Sequence, residues 1–121
     1  MRVRAAARGW WLAAALLAVP LAGCGGQLER PSVSVGMFDN FYGRDVTRVP
    51  AGTPVVFENK GYAPHNAVAV GGAFRTAEVI GPDQSGTVVA ALRPGVYRFY
   101  CTFHANPQAR QGMVGTLVVG D

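Results

Sequence analysis

A small set of side chains in this chain could bind a transition metal. Cys101 and His104 stand three residues apart in the segment YCTFH, and Met113 follows in GMVGTLVV. His65, the other of the two histidines, lies far upstream in PHNAV. Two imidazoles, one thiolate and one thioether are the donor set of a blue-copper electron-transfer centre. Taken singly, each histidine would pass for a polar loop residue, and Cys101 for an inert core cysteine, so the prediction depends on the whole set.

The N-terminal segment predicts export from the cytoplasm. Residues 1–8 hold three arginines and no acid, and residues 9–21 are an apolar run of 13 residues. As a helix this run spans only about 20 Å, whereas a membrane-crossing helix needs about 20 residues. The pattern is typical of a removable signal. Residues 21–24 (LAGC), where this signal ends, resemble the cleavage site of bacterial lipoproteins, in which the chain is cut before the cysteine; this implies a lipidated Cys24. Ordinary cleavage nearby, with Cys24 left as a free thiol, is the alternative.

Removal of residues 1–23 changes the charge and the cysteine count. The chain has 11 basic and 7 acidic side chains, and three of the basic ones lie in the signal, so the mature protein is nearly neutral. A nearly neutral surface without basic clusters argues against nucleic acid as a partner. With Cys24 lipidated, Cys101 has no partner for an internal disulfide.

The mature chain reads as an all-β domain. Short apolar segments alternate with turns, and 24 of the 121 residues are glycine or proline, which argues against a helix bundle. This spacing predicts an antiparallel sandwich or barrel of seven or eight strands. The expected division is a signal at 1–23, a lipidated tether at 24–31 and one domain at 32–121. The predicted strands are 32–38, 45–49, 53–59, 65–70, 74–80 (the weakest), 86–92, 95–101 and 113–119.

The domain resembles the cupredoxins, the plastocyanin/azurin-like family of small copper proteins. The resemblance covers nearly all of residues 32–121 and implies a Greek-key sandwich with one type 1 copper ion held by His65, Cys101, His104 and Met113. It also implies that the Asn66 N–H donates to the Cys101 sulfur while the Asn66 side chain joins the two ligand loops. The matching residues are Met37-Phe38, Gly52-Thr53, 55–59, Pro64-His65-Asn66, Pro94-Gly95-Val96-Tyr97, Tyr100-Cys101, His104 and Gly112-Met113-Val114-Gly115.

The axial position departs from the plastocyanin pattern. Eight residues separate His104 from Met113, which is longer than the plastocyanin-like spacing. The loop can bulge at Asn106-Pro107 and still return Met113 to the metal. Met37, or no close axial ligand, is the alternative.

These features predict a membrane-tethered carrier of single electrons between extracytoplasmic redox proteins, monomeric and without enzymatic activity. The resemblance implies a solvent-facing His104 within an apolar docking patch. A copper chaperone is the alternative, although the chain lacks the clusters of methionine or histidine expected for exchangeable copper(I). A copper reductase would need further histidines for a second copper ion, and a binuclear copper centre would need a second cysteine in the loop; the chain has neither. A Cys-His hydrolase would need an acid that orients the histidine, and none is evident. The candidate docking residues are Gly36, Ala105, Pro107 and Met113, with Arg110 as the nearby charge.

Overall fold

The structure is a computed structural model that describes residues 23, 31–89, 93–108 and 110–120. Residues 1–22 of the predicted export signal, Cys24 and residues 25–30 of the tether lie outside the described residues. Among those described, no helix has both the length and the apolar character needed to cross a membrane.

Two sheets face each other across an apolar core, as the alternating strand pattern predicted. One sheet has three strands in the order β1-β3-β5, and the other has four in the order β2-β7-β6-β4. All regular elements of the described residues are strands, which confirms the all-β sandwich. The strands are β1 (Val33–Met37), β2 (Val46–Pro50), β3 (Pro54–Asn59), β4 (Val68–Ala69), β5 (Ser85–Val89), β6 (Gly95–Tyr100) and β7 (Val114–Gly120).

Both sheets contain parallel as well as antiparallel strand pairs, whereas the sequence analysis predicted an antiparallel sandwich. Strand β1 pairs with β3 in parallel, and β2 pairs with β7 in parallel, whereas β3–β5, β6–β7 and β4–β6 are antiparallel. The chain crosses to the second sheet for β2 before it returns for β3, so β1 and β3 become neighbours without a hairpin. Hairpin-linked strands must be antiparallel, but strands joined by such a crossing need not be.

The core comes from the period of two in each strand, because alternate side chains point into the sandwich. In β6, Phe99 is buried while Val96 and Arg98 are exposed, as the alternation predicted. Phe99 packs edge-on against Phe57 of β3, with ring centroids 5.4 Å apart, and against Tyr42, at 4.7 Å. These aromatic contacts join the two sheets.

The segments 65–70 and 74–80 pair with each other but are mostly not regular strand, which corrects the strand boundaries predicted there. Only Val68–Ala69 is assigned as β4, and His65 and Ile80 form an isolated bridge. Side chains take main-chain positions in this ladder: Thr76 Oγ1 accepts from Ala67 N at 3.0 Å. This side-chain bond interrupts the main-chain ladder next to the short strand β4.

Candidate metal centre

Cys101 and Met113 extend the inward-facing rows of strands β6 and β7. Cys101 follows Phe99 by two residues, Met113 precedes Gly115 by two, and all four residues are buried. The Cys101 N–H donates to the Met113 carbonyl at 3.0 Å, so the last bond between the strands joins these two residues. The alternation that builds the core therefore also turns both sulfur side chains toward the interior.

A tight turn presents His104 at the same end of the sandwich. Its N–H donates to the Cys101 carbonyl at 3.2 Å. The returning chain passes close to His104 at Gly112, which has φ of 91° and where a Cβ would lie 2.6 Å from the His104 carbonyl oxygen. Only glycine meets both conditions without strain, so this position fixes the path of the long loop.

His65 enters the site from the loop between β3 and β4. Its main chain exchanges hydrogen bonds with Ile80 at 3.0 and 2.9 Å. Buried Asn59, at the end of β3, shapes the approach by donating to the carbonyls of Ala63 and Ile80 at 2.8 and 2.9 Å. The His65 side chain is thereby buried completely.

The fold brings the three predicted donors together. One donor atom each from His65, Cys101 and His104 lies within 4.8 Å of the others. The Cys101 sulfur is 3.8 Å from His65 Nδ1 and 3.6 Å from His104 Nδ1. The two imidazole rings lie 5.0 Å apart between centroids. Both histidines thus turn the same ring nitrogen toward one sulfur.

These distances fit a transition-metal ion. Bonds of about 2.0 Å to nitrogen and about 2.3 Å to sulfur, separated by about 120°, place the two donor atoms about 3.7 Å apart. Met113 is buried and bonded through its main chain to Cys101, so the four side chains predicted as ligands lie near one another, as in a type 1 copper site. Met37, the alternative axial donor, pairs with Asn59 in the other sheet.

The surroundings of His65 favour its neutral, metal-binding form. Burial, followed by the charge of a protonated His104, lowers the pKa of His65, and Asp39 opposes this shift. A neutral imidazole keeps the lone pair that a metal requires. Cys101 is the free cysteine of the described residues.

Asn66 joins the two ligand loops through its side chain. Its Oδ1 accepts from Thr102 N at 2.9 Å, and its Nδ2 donates to Thr102 Oγ1 at 2.8 Å. The same Nδ2 donates to the Glu78 carbonyl at 2.9 Å. Since Thr102 follows Cys101, these contacts hold His65 and Cys101 in one frame.

Tyr42 contacts the residue that follows the ligand His65, and the sequence analysis did not predict a role for it. Its hydroxyl donates to the buried Asn66 carbonyl at 2.6 Å. Burial raises the pKa of Tyr42, and the Cys101 thiolate adds to the shift. The phenol therefore stays neutral and keeps its donor proton.

The candidate docking residues differ in their exposure to solvent and in their location. Ala105 is half-buried beside Gly112, and Pro107 and Arg110 are exposed in the long loop. Gly36 lies within β1 under the ring of Phe38. Exposed Phe103, between Cys101 and His104 in sequence, is a further apolar side chain that the sequence prediction omitted.

Asp39 is a second residue near the site that the sequence did not reveal. Its Oδ1 accepts from Tyr62 N at 2.7 Å and from Ala63 N at 3.1 Å. These two donors, Ala63 first, hold the pKa of the Asp39 carboxyl below its usual value. No local signal marks Asp39, because it lies 26 residues before His65.

Among solved structures, the chain is similar to amicyanins. The amicyanin of Paracoccus versutus (Thiobacillus versutus) is 26% identical, with 74% of this chain and 81% of that chain covered and a TM-score of 0.58. A reduced Cu(I) form of an amicyanin mutant has the same fold, at 21% identity, with 78% and 87% of the two chains covered and a TM-score of 0.62.

Sequence comparison gives the family directly. No curated protein is significantly similar to the chain in sequence. A family model described as a cupredoxin-like domain, however, matches residues 5–119. Because this match spans most of the chain, the protein belongs to the cupredoxin-like family.

Proposed function

We propose that this protein carries single electrons between redox proteins and is not itself an enzyme. The convergence of His65 Nδ1, Cys101 Sγ and His104 Nδ1 at one end of the sandwich carries the proposal. A bound copper ion supplies the one-electron Cu(II)/Cu(I) couple. The amicyanin neighbours include structures described as reduced and as Cu(I) forms, which supports the same couple here.

The protein's contribution is a ligand frame that need not move. Cys101 is held by the last bond of the β6–β7 ladder, and His65 by its two bonds to Ile80. Asn66 links the segments that carry them. Ligands fixed in this way give copper a geometry that is a compromise between those preferred by Cu(II) and by Cu(I). Because the ligands move little when the oxidation state changes, electron transfer is fast.

Contact with partners takes place at His104. Its ring is part of the donor cluster, yet the residue is only partly buried, whereas His65 and Cys101 are inaccessible. We place the docking surface around it, at half-buried Ala105 and exposed Pro107. Met113, which the sequence analysis included in this patch, is fully buried and therefore offers no side-chain surface to a partner. Arg110 supplies the nearby charge, and Gly36 remains a candidate at the margin.

The protein acts outside the cytoplasm, attached to a membrane by lipid on Cys24. The basic and apolar N-terminal segment and its LAGC ending support this placement. A tether keeps the domain at high effective concentration near membrane redox partners. Metabolic labelling with a radioactive fatty acid tests the anchor: we expect the wild type to incorporate the label and a Cys24→Ser variant to lack it. A wild type without label would contradict the anchor.

Visible and electron paramagnetic resonance spectra of the full chain with copper(II) test the carrier function. We expect an intense thiolate-to-copper band at about 600 nm that the Cys101→Ser variant lacks. The Asn66 N–H bond to the Cys101 sulfur belongs to the same proposal, because such a bond tunes this band and the potential. A colourless protein that binds copper(I) tightly would instead favour copper delivery and remove Met113 from its axial role.

A further inference from the structure

The buried ligand His65 has a ring nitrogen that the donor cluster does not use. Its Nδ1 faces the Cys101 sulfur, so Nε2 points away from the cluster. Among the described residues this Nε2 is fully buried and has no hydrogen-bond partner. A buried N–H without a partner is costly, so a nearby group must compensate if this nitrogen carries the ring proton.

The carboxylate of Asp39 faces this nitrogen. Asp39 Oδ1 lies 3.6 Å from His65 Nε2, slightly beyond hydrogen-bonding distance but close enough for an electrostatic interaction with a proton on that nitrogen. The Asp39 side chain is partly exposed, at 44%, whereas the His65 side chain is at 0%. The carboxylate therefore lies between the solvent and the buried ring.

The loop around Asp39 is built to keep the carboxylate there. The N–H groups of Tyr62 and Ala63 both donate to the same Oδ1. A Cβ on Gly61 would collide with this oxygen, so only glycine leaves room for it. Since Ala63 is two residues before His65, one short segment carries both the anchor and the ligand.

We propose that Asp39 is a positioning residue for His65: its carboxylate keeps the ring proton on Nε2 and makes Nδ1 a stronger donor. Carboxylates that face the outer N–H of a metal-bound histidine act in this way in other metal sites. The proposal rests on the proposed copper function for its effect on potential, but not for its effect on the proton. A more basic Nδ1 favours Cu(II) over Cu(I), so Asp39 lowers the reduction potential.

The decisive variant is Asp39→Asn in the full chain, because the amide oxygen can still accept from Tyr62 and Ala63 while the charge is lost. We expect the preference for Cu(II) over Cu(I) to fall about tenfold, which corresponds to a rise of about 59 mV in potential for one electron. Glu58→Gln is the matched control, since Glu58 is a surface carboxylate that contacts Lys60 and Ser34 instead. Its potential should stay close to that of the wild type.

Nitrogen-15 NMR of the metal-free protein tests the proton position independently of copper. In the wild type at neutral pH, we expect the His65 proton on Nε2 with Nδ1 unprotonated. A proton on Nδ1, or an Asp39→Asn potential equal to that of the Glu58→Gln control, would overturn the proposal. An Asp39→Ala protein that unfolds at lower urea, alongside an Asp39→Asn protein with unchanged potential, would reduce Asp39 to a loop anchor. Failure of the copper function itself would appear as loss of colour in the wild type, with the NMR result unaffected.

Discussion

Asn66 and Thr102 are joined by two hydrogen bonds, Thr102 N to Asn66 Oδ1 at 2.9 Å and Asn66 Nδ2 to Thr102 Oγ1 at 2.8 Å. Asn66 follows His65 in the loop between β3 and β4, and Thr102 follows Cys101 in the loop between β6 and β7. One buried amide side chain thus couples the upstream histidine to the cysteine turn.

Replacement of Asn66 by alanine should loosen this coupling. We expect the free energy of unfolding of the metal-free protein to fall by about 1–3 kcal/mol, because the partner groups lose their bonds. Copper affinity should fall about 10- to 100-fold, as for other residues that orient metal ligands. Urea unfolding and copper titration measure the two effects. The exposed Asn40→Ala variant is the control, and equal effects in both variants would contradict the role given to Asn66.

Replacement of Gly112 by alanine should disturb the path of the ligand loop. The residue has φ of 91°, and a Cβ would lie 2.6 Å from the His104 carbonyl oxygen. Gly71, with φ of 86° and open space around it, isolates the backbone effect alone. We expect Gly71→Ala to cost about 1 kcal/mol, and Gly112→Ala to cost more and to weaken copper binding as well. If calorimetry and copper titration show the same small effect for both, the clash has no consequence.

The buried phenol of Tyr42 should make stability depend on alkaline pH. Burial raises the folded-state pKa of Tyr42 above the unfolded value of about 10. Its neutral form is present in both states below about pH 10, so the contribution to stability is complete there and is lost as pH rises. The loss in the metal-free protein can reach about 1.4 kcal/mol per pH unit.

Paired variants separate Tyr42 from other groups that ionise at high pH. Tyr42→Phe should reduce the alkaline loss of unfolding free energy, although it also costs about 1 kcal/mol at neutral pH by removing the bond to Asn66. Tyr62→Phe changes a side chain that is 92% exposed and should leave the pH profile as it is. Urea unfolding from pH 8 to pH 11 gives both profiles, and parallel profiles would contradict the assignment.

Electron self-exchange between two copies of the copper-loaded protein should proceed through the apolar surface near His104. The mature chain is nearly neutral, so we expect the self-exchange rate to change little with added salt. Ala105→Glu should slow exchange about tenfold or more, because each copy would present a carboxylate to the other.

Ala51→Glu is the matched control for that experiment. Ala51 is exposed and lies before the first residue of β3, whereas the His65 loop begins after the last residue of that strand. Ala51 is therefore at the other end of β3 from the site. NMR line broadening in mixtures of the two oxidation states measures both rates. A steep salt dependence in the wild type, or equal slowing by both variants, would contradict docking near His104.

Arg110→Gln should remove most of the small salt effect that remains.

The donor residues could be predicted because their chemistry is distinctive and the chain contains so few of them. Two histidines and one spare thiol can form a copper site only in one combination. The alternation in strand β6 was predicted from the sequence as well, and it buries Phe99 while Val96 and Arg98 are exposed. Each of these conclusions depends on residue type or on local spacing, and the sequence contains both.

The tertiary structure alone decided how distant segments meet. It paired β1 with β3 in parallel, broke the predicted strand at 65–70, and placed Asp39 3.6 Å from His65 Nε2. None of these has a local signal, because each depends on how loops from separate strands pack at one end of the sandwich. The sequence by itself determined which atoms can hold the metal. The packing of those loops determined which groups surround the ligands, since such contacts join residues that the chain keeps far apart.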